Sequence, residues 1–450
     1  MVSKILLNKY SLGYSISFFL ITFGTLNLFQ SITTKLFIAG AHGMDIIFYL
    51  GLVTVFSGIL ALLAPLVGSF SDKRKQGSRR RPFLIFSIVG MALVTVLYYF
   101  SPLDFGINDI FLNIFFFVTL HSIYLFSSLT FSISFQSLYP EMFQNLNSRS
   151  MVIALLIGFS ALASIIRVLL DAFFYLEIIY SGIIFGLLII LGGIVLFRKG
   201  FDEPYRRLLE KPKSTEHSSY KILSSNNKLF KWFLIAFFFL TISELFITTA
   251  LDYNWLTYIV FVPLSLIEIV TFFLNITPSL FIITFILYWR KLSLSIGIIK
   301  LFKILIIALL SLTVALFFLS DFVSGIILTS LINVCLSGLS FVKLLLLAII
   351  IDHYFLNTGK RREATYFGLS YTFNFISGFI GVYLSSFLIN FSLLFINPFE
   401  AIQTYYFFSK IGLSLFALIF FGFSLILVRK IPIDKEKYDK IEEEISGLNR

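Results

Sequence analysis

The sequence predicts an all-α membrane protein whose twelve transmembrane helices fall into two six-helix halves. Three observations carry that expectation. Of 450 residues, 58% are hydrophobic and only 13% charged, against about 25% charged in an ordinary soluble chain. The apolar residues come in blocks of about twenty, the length that crosses a hydrocarbon core of about 30 Å. The basic residues alternate between loops. With both termini on one side, 31 of the 35 lysines and arginines lie in segments on that side, the bias that sets orientation on insertion. Soluble enzymes, disordered chains and disulfide scaffolds are thereby excluded. The single Cys335 allows neither a disulfide framework nor a cysteine-based metal centre. The net charge of +11 resides mostly in those inner segments, so no nucleic-acid partner is expected.

Taken in order, the first half gives spans over 11–30, 46–70, 83–101, 110–138, 150–171 and 178–197, each bounded by a turn or a charge cluster. The N-terminal stretch MVSKILLNKYSLG has no small-residue cleavage site and reads as retained. The second half gives 231–251, 263–289, 301–320, 324–351, 364–391 and 405–428. Pro278 lies inside one of these, where a transmembrane helix tolerates it as a kink. The longest inner segment, 198–230, is polar and mixed in charge, and it separates residues 1–197 from 231–428, with a tail over 429–450. Both termini are expected to be cytoplasmic, with the cell membrane as the expected location. Outer loops carry only Lys35 and Lys410, while Arg167 and Lys343 sit inside spans.

Between spans two and three the chain reads Gly68-Ser-Phe-Ser-Asp72, then Arg79-Arg80-Arg81-Pro82. Gly68 permits close helix approach, and Asp72 can pair with basic residues or with the positive N-terminus of a neighbouring helix. The basic run also has a simpler reading, as topology signal and contact to anionic lipid. Glu141 follows Pro140 between spans four and five, with Arg149 nine residues beyond the proline. Between spans ten and eleven stands Asp352-His-Tyr-Phe-Leu-Asn-Thr358-Gly-Lys-Arg361-Arg362-Glu363, closing on Gly368.

These three blocks resemble known family motifs. The G-x-x-x-D spacing with its basic run is similar to the loop 2–3 motif of the major facilitator superfamily. The S-D…R-R-R-P ending looks like the sucrose transporters, with an interval one residue shorter. The loop 10–11 and loop 4–5 blocks resemble the glycoside–pentoside–hexuronide:cation symporters, the melibiose permease family. The resemblance implies the major facilitator fold and a secondary transporter of a small polar solute, with a sugar or glycoside as the expected class. Its halves would rock around a midplane site, with Gly68, Asp72, Arg79, Arg80, Arg81, Glu141, Arg149, Asp352, Arg361 and Arg362 as inner-side gating latches. The site residues do not carry over. The span-two stretch that matches the family's cation ligands is Leu60-Ala-Leu-Leu-Ala-Pro65, without side-chain oxygen, and a span-four aspartate falls on Ser132. Sodium needs several hard oxygen ligands, so protons are the expected coupling ion.

Ionisable groups in the membrane are expensive and are functional candidates by default. On span four His121, Ser128, Ser132 and Gln136 share one helical face. They line a cavity or pack helices, and His121 is also a titratable candidate. Arg167 and Asp171 are spaced for an i, i+4 ion pair. Glu244 and Glu268 are the other proton-coupling candidates, Glu244 being deeper and without a basic residue within one helical turn. Lys343 either snorkels to the inner interface or anchors an anionic ligand. Asn275, Asn333, Tyr371 and Asn374 are further candidates for a solute cavity. No nucleotide loop, zinc-protease or serine-hydrolase pattern occurs. The expectation is therefore no enzyme, no cofactor and no metal, with the lipid bilayer, a solute and protons as partners of a monomer. A lysolipid carrier of the same fold and a non-transporting solute sensor are the rival readings.

Overall fold

In a computed structural model the described residues are 9–25, 43–74, 78–98, 100, 109–173, 178–203, 227–250, 267–318, 321–395, 402–431, 433 and 435–447. Most of the 198–230 segment, from 204 to 226, lies outside them. Twelve apolar helices stand where the twelve spans are expected. In the first half they are α1 (Lys9–Thr25), α2 (Gly43–Lys73), α3 (Arg81–Tyr98), α4 (Ile110–Met142), α5 (Leu146–Phe173) and α6 (Ile178–Val195). In the second they are α7 (Lys228–Ala250), α8 (Ile267–Ile296), α9 (Ile298–Ala315), α10 (Phe322–Thr358), α11 (Glu363–Phe395) and α12 (Ile402–Val428). Among the described residues ten are long and apolar enough to cross a membrane. A polar helix, α13 (Lys435–Gly447), occupies the C-terminal tail.

Local chemistry explains where several helices begin. Asp109 accepts the Leu112 amide at 3.1 Å ahead of α4, and Asn145 accepts that of Ser148 at 2.7 Å ahead of α5. Asn227 and Asp321 do the same for Phe230 and Ser324, at 3.1 and 2.8 Å, ahead of α7 and α10. Each satisfies an amide that the first turn leaves without an intrahelical partner. Gly297, at φ 88°, is the only residue between α8 and α9, a conformation that glycine adopts at little cost. Apolar faces turn outward as a lipid-facing helix requires. On α3 Phe86, Val89, Leu93 and Leu97 are exposed while Leu84, Ile88, Met91 and Thr95 are buried.

The chain divides into two compact units, Met1–Lys221 with Asn357–Thr372, and Ile222–Leu356 with Phe373–Arg450. In the first, α1 packs on α5 and α6, α3 on α4 and α6, and α2 on α4. In the second, α7 and α9 both pack on α12, and α8 on α9. The pairs α1–α6 and α3–α6 thus recur as α7–α12 and α9–α12, a six-helix offset that the sequence does not display. The segment Asn357–Thr372 belongs with the first unit because backbones meet there. A Cβ on Gly368 would lie 2.6 Å from the Ala64 carbonyl oxygen, and one on Gly68 would collide with the Ala364 backbone. Thr372 adds a hydrogen bond, its hydroxyl donating to the Ala61 carbonyl at 2.6 Å.

Candidate functional site

Two polar constellations stand out, one in each unit. In the first, Asp72 at the end of α2 caps the start of α11. Its carboxylate accepts the backbone amides of Ala364 and Thr365, at 3.2 and 2.8 Å, and the Thr365 hydroxyl at 2.8 Å. Those amides are the donors that a helix start leaves open, and the helix dipole adds to the attraction. Around this cap three arginines meet three further carboxylates. Arg80 Nη2 lies 3.1 Å from Glu363 and 3.9 Å from Asp72, and it also bonds Glu141. Arg79 joins the same Glu141 oxygen, and Arg361 pairs with Glu363 at 2.9 Å. Glu203 accepts the backbone amides of Arg79 and Arg80, at 3.0 and 2.9 Å.

Arg80, Glu141 and Glu363 are entirely buried. Burial opposes the charge on Arg79, but Glu141, Glu363, Asp72 and Glu203 outweigh it and hold the guanidinium protonated above its ordinary range. Arg149, also buried, donates to the carbonyls of Phe143 and Pro140, the latter at 3.0 Å, and so closes the end of α4. Arg81 is exposed, its guanidinium 5.5 Å over the Phe197 ring. Arg362 is half-buried. Asp352 is buried on α10, in the second unit.

The second constellation joins α7, α10 and α11. Lys343 Nζ donates to Asn374 Oδ1 at 2.6 Å and stands 5.7 Å from the Phe237 ring centroid. The Thr241 hydroxyl donates to the same Asn374 oxygen at 3.4 Å. Glu244 acts electrostatically on Lys343. Phe237, Thr241 and Glu244 recur at intervals of four and three, so they share one face of α7. The snorkelling reading of Lys343 does not describe this geometry. The helix continues to Thr358, fifteen residues beyond Lys343, or about 22 Å, and the ammonium turns to Asn374 instead.

The span-four candidates separate. His121 is buried beside Tyr49, whose hydroxyl lies 3.3 Å from Nδ1, amid a cluster that includes Phe117 and Leu120. Ser128, Ser132 and Gln136 are half-buried, and Ser128 shares a hydrogen bond with Tyr124. Tyr371 packs in the first unit against Ala64, Leu129, Ile133 and Ala364. Asn333 is half-buried and donates to the Thr329 carbonyl at 2.9 Å. Asn275 is exposed on α8. Arg167 lies on α5; the side chains of Asp171 and Glu268 are outside the described residues.

Glu203, Glu363 and Thr241 were not among the candidates drawn from the sequence. Glu363 stands within the loop 10–11 block, beside two residues that were chosen, and its placement at the start of an apolar helix was a usable signal. Glu203 is one acid in a mixed-charge stretch, and nothing local marks it.

The sequence pattern of the Major Facilitator Superfamily matches residues 11–382. Comparison with curated proteins gives no match. Among solved structures, a bacterial homologue of the iron transporter ferroportin in an outward-facing state aligns with a TM-score of 0.69 at 15% identity. That alignment covers 94% of this chain and 99% of the other. The transporter FucP in its outward conformation gives 0.61 at 13% identity, covering 91% and 97%. The human organic anion transporter MFSD10 gives 0.62 at 13%, covering 93% and 99%. At such identities the likeness is one of fold.

Proposed function

The chain belongs to the major facilitator superfamily, and from that premise we propose a secondary active transporter that moves a small polar solute by alternating access, driven by protons rather than sodium. A sugar or glycoside is the solute class inferred from the loop motifs. Glu244 carries the proton assignment. It is a carboxyl deep in an apolar helix bundle, within electrostatic reach of the Lys343 ammonium. A charge buried in such surroundings is stabilised only by its partners. Whether Glu244 holds a proton therefore depends on what faces Lys343, and that dependence is what couples a proton to a solute.

The Asp72 cap on α11 supports the conformational half of the reading. Hydrogen bonds and ion pairs of this kind form a latch that one step of a cycle breaks and another remakes. We take a single chain as the working unit, with both termini cytoplasmic and the cell membrane as its location.

The test is uptake of a panel of labelled sugars into sealed proteoliposomes, with and without an inward proton gradient. The gradient is expected to stimulate one sugar class, and Glu244→Gln to remove the stimulation. Uptake that follows sodium and ignores pH overturns the proton assignment. Binding without flux overturns transport.

A further inference from the structure

Lys343 is a poorly compensated cation. An ammonium has three donors, and among the described residues its hydrogen bond runs to the neutral amide of Asn374 at 2.6 Å. The Phe237 face at 5.7 Å adds a weak attraction. The acid that acts on it, Glu244, does so through space. Taking an ammonium out of water costs several kcal/mol, which an amide and a ring do not offset. Lys343, Asn374 and Glu244 are each half-buried in the second unit. The arrangement differs from a structural ion pair, in which the two charges would be in contact.

We infer that Lys343 receives an anionic group of the transported solute, a carboxylate or a phosphate, with Asn374 and Thr241 positioning the ammonium and Glu244 as the counter-charge that the anion replaces. The inference rests on the transporter reading and narrows its solute to an acidic one. Without solute the site holds one positive and one negative charge. A monovalent anion bound to Lys343 would leave it with a surplus negative charge beside Glu244. Protonation of Glu244 removes that surplus, so one proton accompanies each monovalent anion and the loaded site keeps the net charge of the empty one. Among the described residues Lys343 on α10 is the charged group that acts on Glu244 from the neighbouring helices.

Thermal unfolding of the purified full-length protein, followed by intrinsic tryptophan fluorescence, tests the site with matched probes. These are gluconate against sorbitol, glucose 6-phosphate against glucose, and glycerol 3-phosphate against glycerol. At least one anionic member is expected to stabilise the protein where its neutral partner does not, and the responding pair distinguishes carboxylate from phosphate. Lys343→Gln is expected to weaken that binding by about tenfold or more, the worth of one charged hydrogen bond, and Lys343→Arg to retain most of it. If Lys343→Gln does not fold, the double variant Glu244→Gln with Lys343→Met removes both buried charges and is expected to fold without binding the anion. Stabilisation by neutral members alone, by no member, or equally in Lys343→Gln overturns the inference. Proton-driven flux of a neutral sugar with no response to anions sinks the anion site and leaves the transporter standing. Anion binding without flux does the reverse.

Discussion

Glu203→Ala puts the unexpected cap on α3 to a quantitative test. The Glu203 carboxylate accepts two backbone amides, those of Arg79 and Arg80, at 3.0 and 2.9 Å. Alanine leaves both without that acceptor and removes a negative charge from the positive end of a helix. A hydrogen bond to a charged group contributes about 1.5–3 kcal/mol when buried. Glu203 is only half-buried, so screening lowers this to about 1 kcal/mol per bond, or about 2 kcal/mol together. For a unit of about 200 residues that corresponds to a fall of about 4–8 °C in the unfolding midpoint. The assay is tryptophan fluorescence on heating in detergent. Glu203→Gln retains a neutral acceptor and is expected to fall by about half as much. Asp202→Ala, at an exposed neighbour, is the control, with no shift beyond about 1 °C. A Glu203→Ala midpoint within about 1 °C of wild type refutes the argument that this carboxylate holds the start of α3.

Two further outcomes follow from the same unit. Gly68→Val is expected to abolish uptake in proteoliposomes while leaving the protein monodisperse, because its Cβ would strike the Ala364 backbone; Gly412→Val, where nothing lies within 4 Å, should transport normally. Arg80→Ala removes the guanidinium that Glu141 and Glu363 share, a loss of about 3–5 kcal/mol for an uncompensated buried charge. Adding Glu141→Gln to Arg80→Ala is expected to restore part of the unfolding midpoint, and strict additivity of the two changes would refute the shared pairing.

Hydropathy located the helices well because a lipid-facing span and a packed span both exclude charge. It misplaced ends where the helix outlasts the apolar run. The α10 span was expected over 324–351, and the helix itself runs on through Asp352 to Thr358. α13 escaped notice because a polar helix has no apolar block, although Glu436 and Lys440 carry the i, i+4 spacing that supports one. Resemblance to family loop motifs picked out Asp72, Arg80 and Arg361, and Asp72 was also legible as an acid able to meet a helix N-terminus. The motifs gave no view of which acid meets which arginine. Glu203 is 62 residues beyond Glu141 in the chain, yet both serve the same arginine pair, and such long-range meetings leave no periodic trace. Lys343 and Asn374 were each noticed alone. Their meeting depends on the rotation of two helices, which periodicity in nearly uniform apolar sequence does not fix.

The seam between α2 and the start of α11 has a further consequence. Gly68 faces Ala364 and Gly368 faces Ala64, so the two helices run antiparallel with each glycine set against the other's alanine, four residues apart on both. A slip of one turn would bring the two glycines together and leave a gap, or would set Ala64 against Ala364 and carry Gly68 past the start of α11. The seam therefore indexes the helices to a single register, as a keyed joint does. Alanine and glycine have no side-chain rotamers to order, so at these two crossings the helices meet without fixing any side-chain torsion, and the Asp72 and Thr372 hydrogen bonds then hold the register.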